Sequence, residues 1–72
     1  MSAAEIRVSG HGGVFVAETC CVEGGLVHAE GRWRERMGAN YAKVRLSDRR
    51  RYSWPQRRLT EIRWITSGEV AG

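Results

Sequence analysis

Arginine is the residue whose type and spacing in this chain most clearly suggest a function. The chain has eleven arginines and a single lysine. A guanidinium group is planar and donates paired hydrogen bonds, which suits phosphate and carboxylate groups. Residues 1–31 carry a net charge of −3, whereas residues 32–65 carry +8. The sequence therefore predicts a basic binding surface whose members are Arg32, Arg34, Arg36, Lys43, Arg45, Arg49, Arg50, Arg51, Arg57 and Arg58.

Two kinds of partner fit a basic surface of this kind. Arginine contacts to phosphate, with bases stacking on exposed Phe15 and Tyr41, would bind nucleic acid with low sequence specificity. The alternative is a non-enzymatic adaptor or inhibitor, such as a phage or mobile-element accessory protein, that docks on an acidic protein surface. A third explanation is that the arginine excess reflects only the codon usage of a GC-rich genome. Composition leaves all three open, and it does not separate DNA from RNA.

The adjacent Cys20 and Cys21, with His28, are the residues that could support metal or covalent chemistry. Adjacent residues of a strand point to opposite faces. We therefore expect two free thiols, Cys20 in the core and Cys21 partly exposed, in a reducing compartment. Structural zinc needs four converging ligands, and a nucleophile needs a base, an orienting group and an oxyanion hole. We expect no metal, no cofactor and no enzymatic activity.

The segment Gly10-His11-Gly12-Gly13 is the one glycine-rich loop that could cradle a phosphate through backbone N–H groups. It lacks the Lys-Ser/Thr pair of a P-loop, and no helical pattern follows it. The sequence therefore predicts a turn between the first two strands at this point.

The elements that must position these residues begin with a β-hairpin. The runs 14–22 and 26–34 are rich in β-branched residues or alternate in polarity, and a Gly-Gly pair at 24–25 separates them. Such a pair is typical of a two-residue hairpin turn, whose central residues need positive φ. The turn predicts a register that extends to a pair between Val16 and Trp33.

Glu18 interrupts the apolar face of that hairpin, opposite Gly31. A charged residue in this position predicts a nearby barrel rim or a neighbouring β-bulge at Gly31. In the same register Phe15 lies beside Arg34 on the wetter face.

The remaining strands follow the same alternation: a short first strand at 5–9, which the five-strand count leaves optional, and then 41–47, 51–54 and 60–65. A short polar loop after the second of these would pair Val44 with Trp54, with Val44 and Leu46 facing inward. Pro55 cannot donate to a ladder, so residues 55–59 suit a single 3₁₀ turn. The last strand places Trp64 inward.

The stretch YSWPQRRLTEI, residues 52–62, resembles the end of SH3-like barrels, in which an aromatic and a Pro-led 3₁₀ turn feed a closing strand. The resemblance implies an all-β fold, a single small five-stranded SH3-like barrel with a 3₁₀ turn before the last strand. An OB-like barrel is the alternative. The acidic loop with which SH3 domains hold Pro-rich peptides has no counterpart in this sequence. We expect one domain over residues 1–72, with an ordered core of about 5–66 and frayed ends.

The chain shows no pattern of a signal peptide, and its longest apolar run is far below the roughly 18 residues that cross a bilayer. We therefore expect a cytoplasmic protein without a membrane partner. Small barrels expose edge strands, so a homo-oligomer joined through edge strands is a further alternative.

Overall fold

Strands make up nearly all the regular structure of this protein. A computed structural model describes residues 2–38 and 43–65. Their elements are β1 (Ser2–Val8), β2 (Val14–Glu23), β3 (Leu26–Met37), β4 (Lys43–Leu46), β5 (Arg50–Pro55), the 3₁₀ helix η1 (Gln56–Arg58) and β6 (Leu59–Ile65). The predicted all-β class and the 3₁₀ turn before the last strand are confirmed. Within the described ranges, no helix is long and apolar enough to cross a membrane.

The strands form one antiparallel sheet in the order β4-β3-β2-β1-β6, and β5 also pairs with β3. The prediction of a five-stranded barrel is wrong, because residues 2–38 and 43–65 form six strands in a sheet that stays open. The cause is the length of β3, which spans twelve residues. Its first half pairs with β5 and its second half pairs with β4.

The predicted hairpin between β4 and β5 is consequently wrong. Val44 pairs with Arg36 of β3 instead of with Trp54, and Trp54 pairs with Val27. Both strands form their backbone hydrogen bonds with β3. The polar residues between the two strands carry the chain from one half of β3 to the other.

The hairpin between β2 and β3 forms as the sequence predicts. Gly24 and Gly25 have φ of 60° and 78°, the conformation that a primed turn requires. From this turn the register runs as expected through the pair Cys20 and Ala29.

A β-bulge then shifts the register of this hairpin at Glu18. Glu18 is the extra residue, and Gly31 lies opposite the bulge, so the predicted irregularity is confirmed. Gly31 is needed there because a Cβ atom on it would lie 2.0 Å from the carbonyl oxygen of Val16 and 2.8 Å from Cα of Ala17. Only a residue without a side chain lets the two backbones approach this closely.

The bulge moves Phe15 from the predicted wet face into the core. Val16 pairs with Arg32, and Phe15 pairs with Trp33, one residue out of the predicted register. Because side chains alternate along a strand, a shift by one residue exchanges the faces. Phe15 is fully buried.

The core is an aromatic cluster centred on Phe15. Its ring meets Trp33, Tyr52 and Trp54 edge-on at centroid distances of 5.2, 5.3 and 5.4 Å. The indole N–H of Trp33 donates to the hydroxyl of Tyr52 at 3.0 Å, so the polar groups of both rings are paired. The smaller buried members of the cluster are Ala4, Ile6, Val8, Ala17, Cys20, Val27 and Ala29.

Several apolar residues that were predicted to face inward are exposed. Val44 and Leu46 are 54% and 56% exposed, since β4 is a short edge strand whose register places them beside Arg36 and Arg34. Trp64 pairs with buried Ala4 but lies on β6, the other edge of the sheet, and is 40% exposed.

Candidate nucleic-acid interface

The sheet has two faces, and the arginines divide between them. Directly paired residues of neighbouring strands share a face, and alternate residues of one strand share a face. We use "outer face" for the side opposite the aromatic core. Its described members on β1, β2, β3, β4 and β6 include Glu5, Arg7, Val14, Val16, Arg32, Arg34, Arg36, Val44, Leu46, Glu61 and Arg63.

Three predicted site residues lie in one row on this outer face. Arg32, Arg34 and Arg36 are alternate residues of β3, so their Cα atoms are spaced by about 6.8 Å along the strand. Arg32 donates to the carbonyl oxygen of Ser47 at 3.4 Å. Arg36 has no acidic side chain within ion-pair distance in the described ranges.

Other predicted members lie on the opposite face. Lys43 and Arg45 pair with Met37 and Glu35, the β3 residues that alternate with the arginine row. Arg50 pairs with Gly31, on the side of the aromatic core. The expectation that the strand residues Lys43 and Arg45 extend the surface of Arg32, Arg34 and Arg36 is therefore wrong.

Arg49, in the loop before β5, and Arg51, on β5, form ion pairs with acidic residues of β2 and β3. Arg49 contacts the carboxylates of Glu30 at 2.9 Å and Glu18 at 3.1 Å. The hydrogen bond to Glu30 and the charges of both carboxylates raise the pKa of Arg49. Arg51 lies 3.8 Å from the other oxygen of Glu30. Glu18, the bulge residue, thus forms an ion pair with an arginine that the sequence predicted to bind a partner.

Arg57 and Arg58 form the exposed end of η1. The carbonyl oxygen of Arg58 accepts from the backbone N–H of Ser9 at 2.8 Å, which places η1 beside the loop after β1. Within residues 2–38 and 43–65, neither guanidinium has an acidic side chain within ion-pair distance.

A groove of about 380 Å³ lies on the outer face, and we call it the arginine groove. It opens where β3 runs on past the first residue of β2, and the loop before β2 borders it. Three arginines line the groove, and they are Arg7, Arg34 and Arg36. The lining also includes Gly12, Val14 and Glu35. Val14 is buried beneath the arginines.

Two of these arginines are held by exposed ion pairs. Arg7 contacts Glu61 at 3.4 Å, and Arg34 contacts Glu5 at 3.3 Å. Glu5 also lies 3.5 Å from Arg63. Exposed pairs of this type contribute about 0–1 kcal/mol each, so an incoming anion can compete with the carboxylates.

Arg7 is the site residue that the sequence reasoning missed. It lies in the acidic half of the chain, and grouping charges by position along the sequence hid it. A usable signal was present, because Ile6 and Val8 are the alternate apolar residues of the predicted strand 5–9, and this alternation directs Arg7 outward.

The loop between β1 and β2 is fixed by His11. The ring of His11 stacks on Trp33 at a centroid distance of 3.6 Å, and its Nδ1 accepts from the backbone N–H of Gly13 at 3.1 Å. Gly13 is buried, and a Cβ on it would lie 2.9 Å from Cγ of Glu35. The predicted turn is confirmed, and Gly10 has a φ of 81°.

The cysteines lie as predicted, with Cys20 buried and Cys21 exposed, both as free thiols. Burial, followed by the nearby Cys21, raises the pKa of Cys20. His28 is the cross-strand neighbour of Cys21, and its Nδ1 lies 2.7 Å from the hydroxyl of Ser53. In the part of the chain that the structure describes, no three histidine, cysteine or acidic side chains come together to hold a metal ion.

The aromatics that were predicted to stack on bases are Phe15 and Tyr41. Phe15 is buried, and Tyr41 lies outside the described residues. The remaining described aromatics lie on the core side of the sheet.

A scan against protein-family models, a search of curated proteins and a search of solved structures found no match to this chain. The function of the chain is therefore inferred from the chemistry of the arginine groove and the outer face.

Proposed function

We propose that this chain is a small non-enzymatic domain that binds the phosphate backbone of nucleic acid through the outer face of its sheet. The observation that carries the proposal is the convergence of Arg7, Arg34 and Arg36 on one groove, with Arg32 in the same row of β3. Arginine is well suited to such contacts because its planar fork pairs with phosphate oxygens.

The charge of this face supports a polyanionic partner. Five arginines and three glutamates lie on the outer face of β1, β3 and β6, which gives a net charge of +2; the arginines are Arg7, Arg32, Arg34, Arg36 and Arg63, and the glutamates are Glu5, Glu30 and Glu61. Since the described outer face has no aromatic residue, the proposed contacts are to backbone and not to stacked bases. Low sequence specificity follows from this.

We further propose that the fold is related to SH3-like small barrels in an open form. Trp54 and Pro55 lead into η1, and β6 then pairs with β1. This order of elements supports the proposed relation.

Fluorescence anisotropy of labelled DNA across a salt series tests the proposed function. If four arginines neutralise phosphates, the slope of log K against log salt is about −3.6 for a duplex and about −2.8 for a single strand. A fourfold rise in salt concentration then weakens binding roughly 150-fold and roughly 50-fold, respectively.

A flat salt response, or no binding at low salt, would refute the proposal. The competing function, docking on an acidic protein surface, predicts a partner protein that stays bound after nuclease treatment. Val44 and Leu46 beside the arginine row would supply apolar contacts to such a partner.

A further inference from the structure

The arginine groove differs from the rest of the outer face in shape and charge. The groove is concave and has the Gly12–Gly13 loop along one side, whereas a smaller depression of about 160 Å³ on the same face is lined by Glu5 and Glu61 as well as by arginines. The lining of the arginine groove contains three arginines and one acidic residue, Glu35, so the local net charge is +2. Glu35 itself lies 3.9 Å from Arg45.

We propose that the arginine groove binds a terminal phosphate monoester, at the end of a nucleic-acid strand or on a free nucleotide. The inference rests on the proposed function and deepens it, because it names the group that one part of the same surface recognises. A phosphate monoester carries about −1.5 to −2 charges at neutral pH. That charge matches the lining, whereas an internal phosphodiester has a single negative charge.

The size of the groove also favours a strand end. A volume of about 380 Å³ lies near the lower limit for small-ligand pockets, which run from about 300 to 1,000 Å³. A phosphate with its attached sugar has this scale, whereas a duplex must lie across the open face.

The groove can receive such a group without rearranging the fold. Arg36 has no acidic partner in the described part of the chain. Arg7 and Arg34 form exposed ion pairs with carboxylates, and a phosphate monoester, which is more highly charged, can replace those carboxylates. Gly12 is exposed, and even a Cβ on it would meet no atom within 4 Å. A ligand can therefore come close to the backbone at this residue.

The first test compares one single-stranded sequence with a 5′-phosphate, a 3′-phosphate or two hydroxyl ends. We expect a phosphorylated end to bind about tenfold more tightly than the hydroxyl form, as one added charge-assisted contact allows. Arg36→Gln should abolish this preference. Arg32→Gln is the matched control, because it removes the same charge from the same row of β3 but lies outside the groove lining. This variant should still prefer the phosphorylated end.

Amide chemical shifts give an independent measurement on the wild-type chain. Titration with inorganic phosphate or with a nucleoside monophosphate should shift the signals of Gly12 and Gly13. Gly24 and Gly25 should not move, because they lie at the other end of β2, about 30 Å away. Saturation by inorganic phosphate alone shows that a free phosphate suffices; a requirement for the nucleotide shows that the sugar or base contributes.

The outcomes separate this inference from the proposed function. Equal affinity for all three strand ends, or equal shifts at both glycine pairs, would overturn the phosphate groove while leaving backbone binding intact. Selective shifts at Gly12 and Gly13, with no binding of any oligonucleotide, would support the groove and remove the proposed function.

Discussion

Gly31→Ala is the substitution whose effect the structure determines most directly. A Cβ atom at this position would lie 2.0 Å from the carbonyl oxygen of Val16 and 2.8 Å from Cα of Ala17. Both obstacles are backbone atoms of β2, so no side-chain rotation can relieve the overlap. The bulge at Glu18 must open, or β2 and β3 must separate at the centre of the sheet.

The expected cost is near the upper end for overpacking, about 3 kcal/mol. A chain of this length is stable by roughly 4–11 kcal/mol, so the loss is a large share of the total. Each kcal/mol shifts the melting temperature of a domain this small by about 4–8 °C, which predicts a fall of about 12–24 °C.

Thermal melting followed by circular dichroism measures this fall. Gly12→Ala is the matched control, because its Cβ meets nothing within 4 Å and its φ is not in the left-handed region. We expect the control to melt within about 4 °C of the wild type. A Gly31→Ala variant that melts as close to the wild type as the control does would show that the bulge geometry is wrong.

Three smaller predictions concern the cysteines and the loop between β1 and β2. In the native protein iodoacetamide should modify Cys21 only, and labelling of Cys20 should require unfolding. Burial raises the pKa of Cys20 above its ordinary value of 9.0. The protonated Cys20 thiol therefore stabilises the fold fully below pH 9, and this stabilisation is lost as the pH rises through the pKa of the folded state. Cys20→Ala should reduce that loss of stability at alkaline pH. His11→Ala should increase acrylamide quenching of Trp33, and unchanged quenching would contradict the stacked ring.

The parts of the fold that depend on local sequence could be predicted. Glycines at 24–25 determine a turn and the register next to it, and Glu18 opposite Gly31 indicates where that register breaks. The size and direction of the break could not be derived from the pattern. A one-residue shift was enough to move Phe15 from the surface to the centre of the core.

The pairing of strands that are distant in sequence could not be predicted from the sequence. Alternation shows that a segment is a strand, but not which neighbour it chooses. Because β3 is long enough to pair with β5 along its first half and with β4 along its second half, β4 and β5 do not pair with each other in a hairpin. The same choice of partner exposed Val44 and Leu46.

The candidate site could be predicted in composition but not in extent. Alternate spacing correctly placed Arg32, Arg34 and Arg36 on one face. Charge counted along the chain could not show that acidic residues of the first half neutralise Arg49, or that Arg7 joins the groove. Such ion pairs join residues far apart in sequence, so they depend on the sheet register.

The most direct test of the binding face compares two double variants that remove equal charge from opposite sides of the sheet. Arg32→Gln with Arg36→Gln changes the outer face, and Lys43→Gln with Arg50→Gln changes the core side. The duplex salt slope should fall from about −3.6 to about −1.8 for the first pair and stay near −3.6 for the second. Equal losses in both variants, or a larger loss in the second, would contradict binding through the outer face.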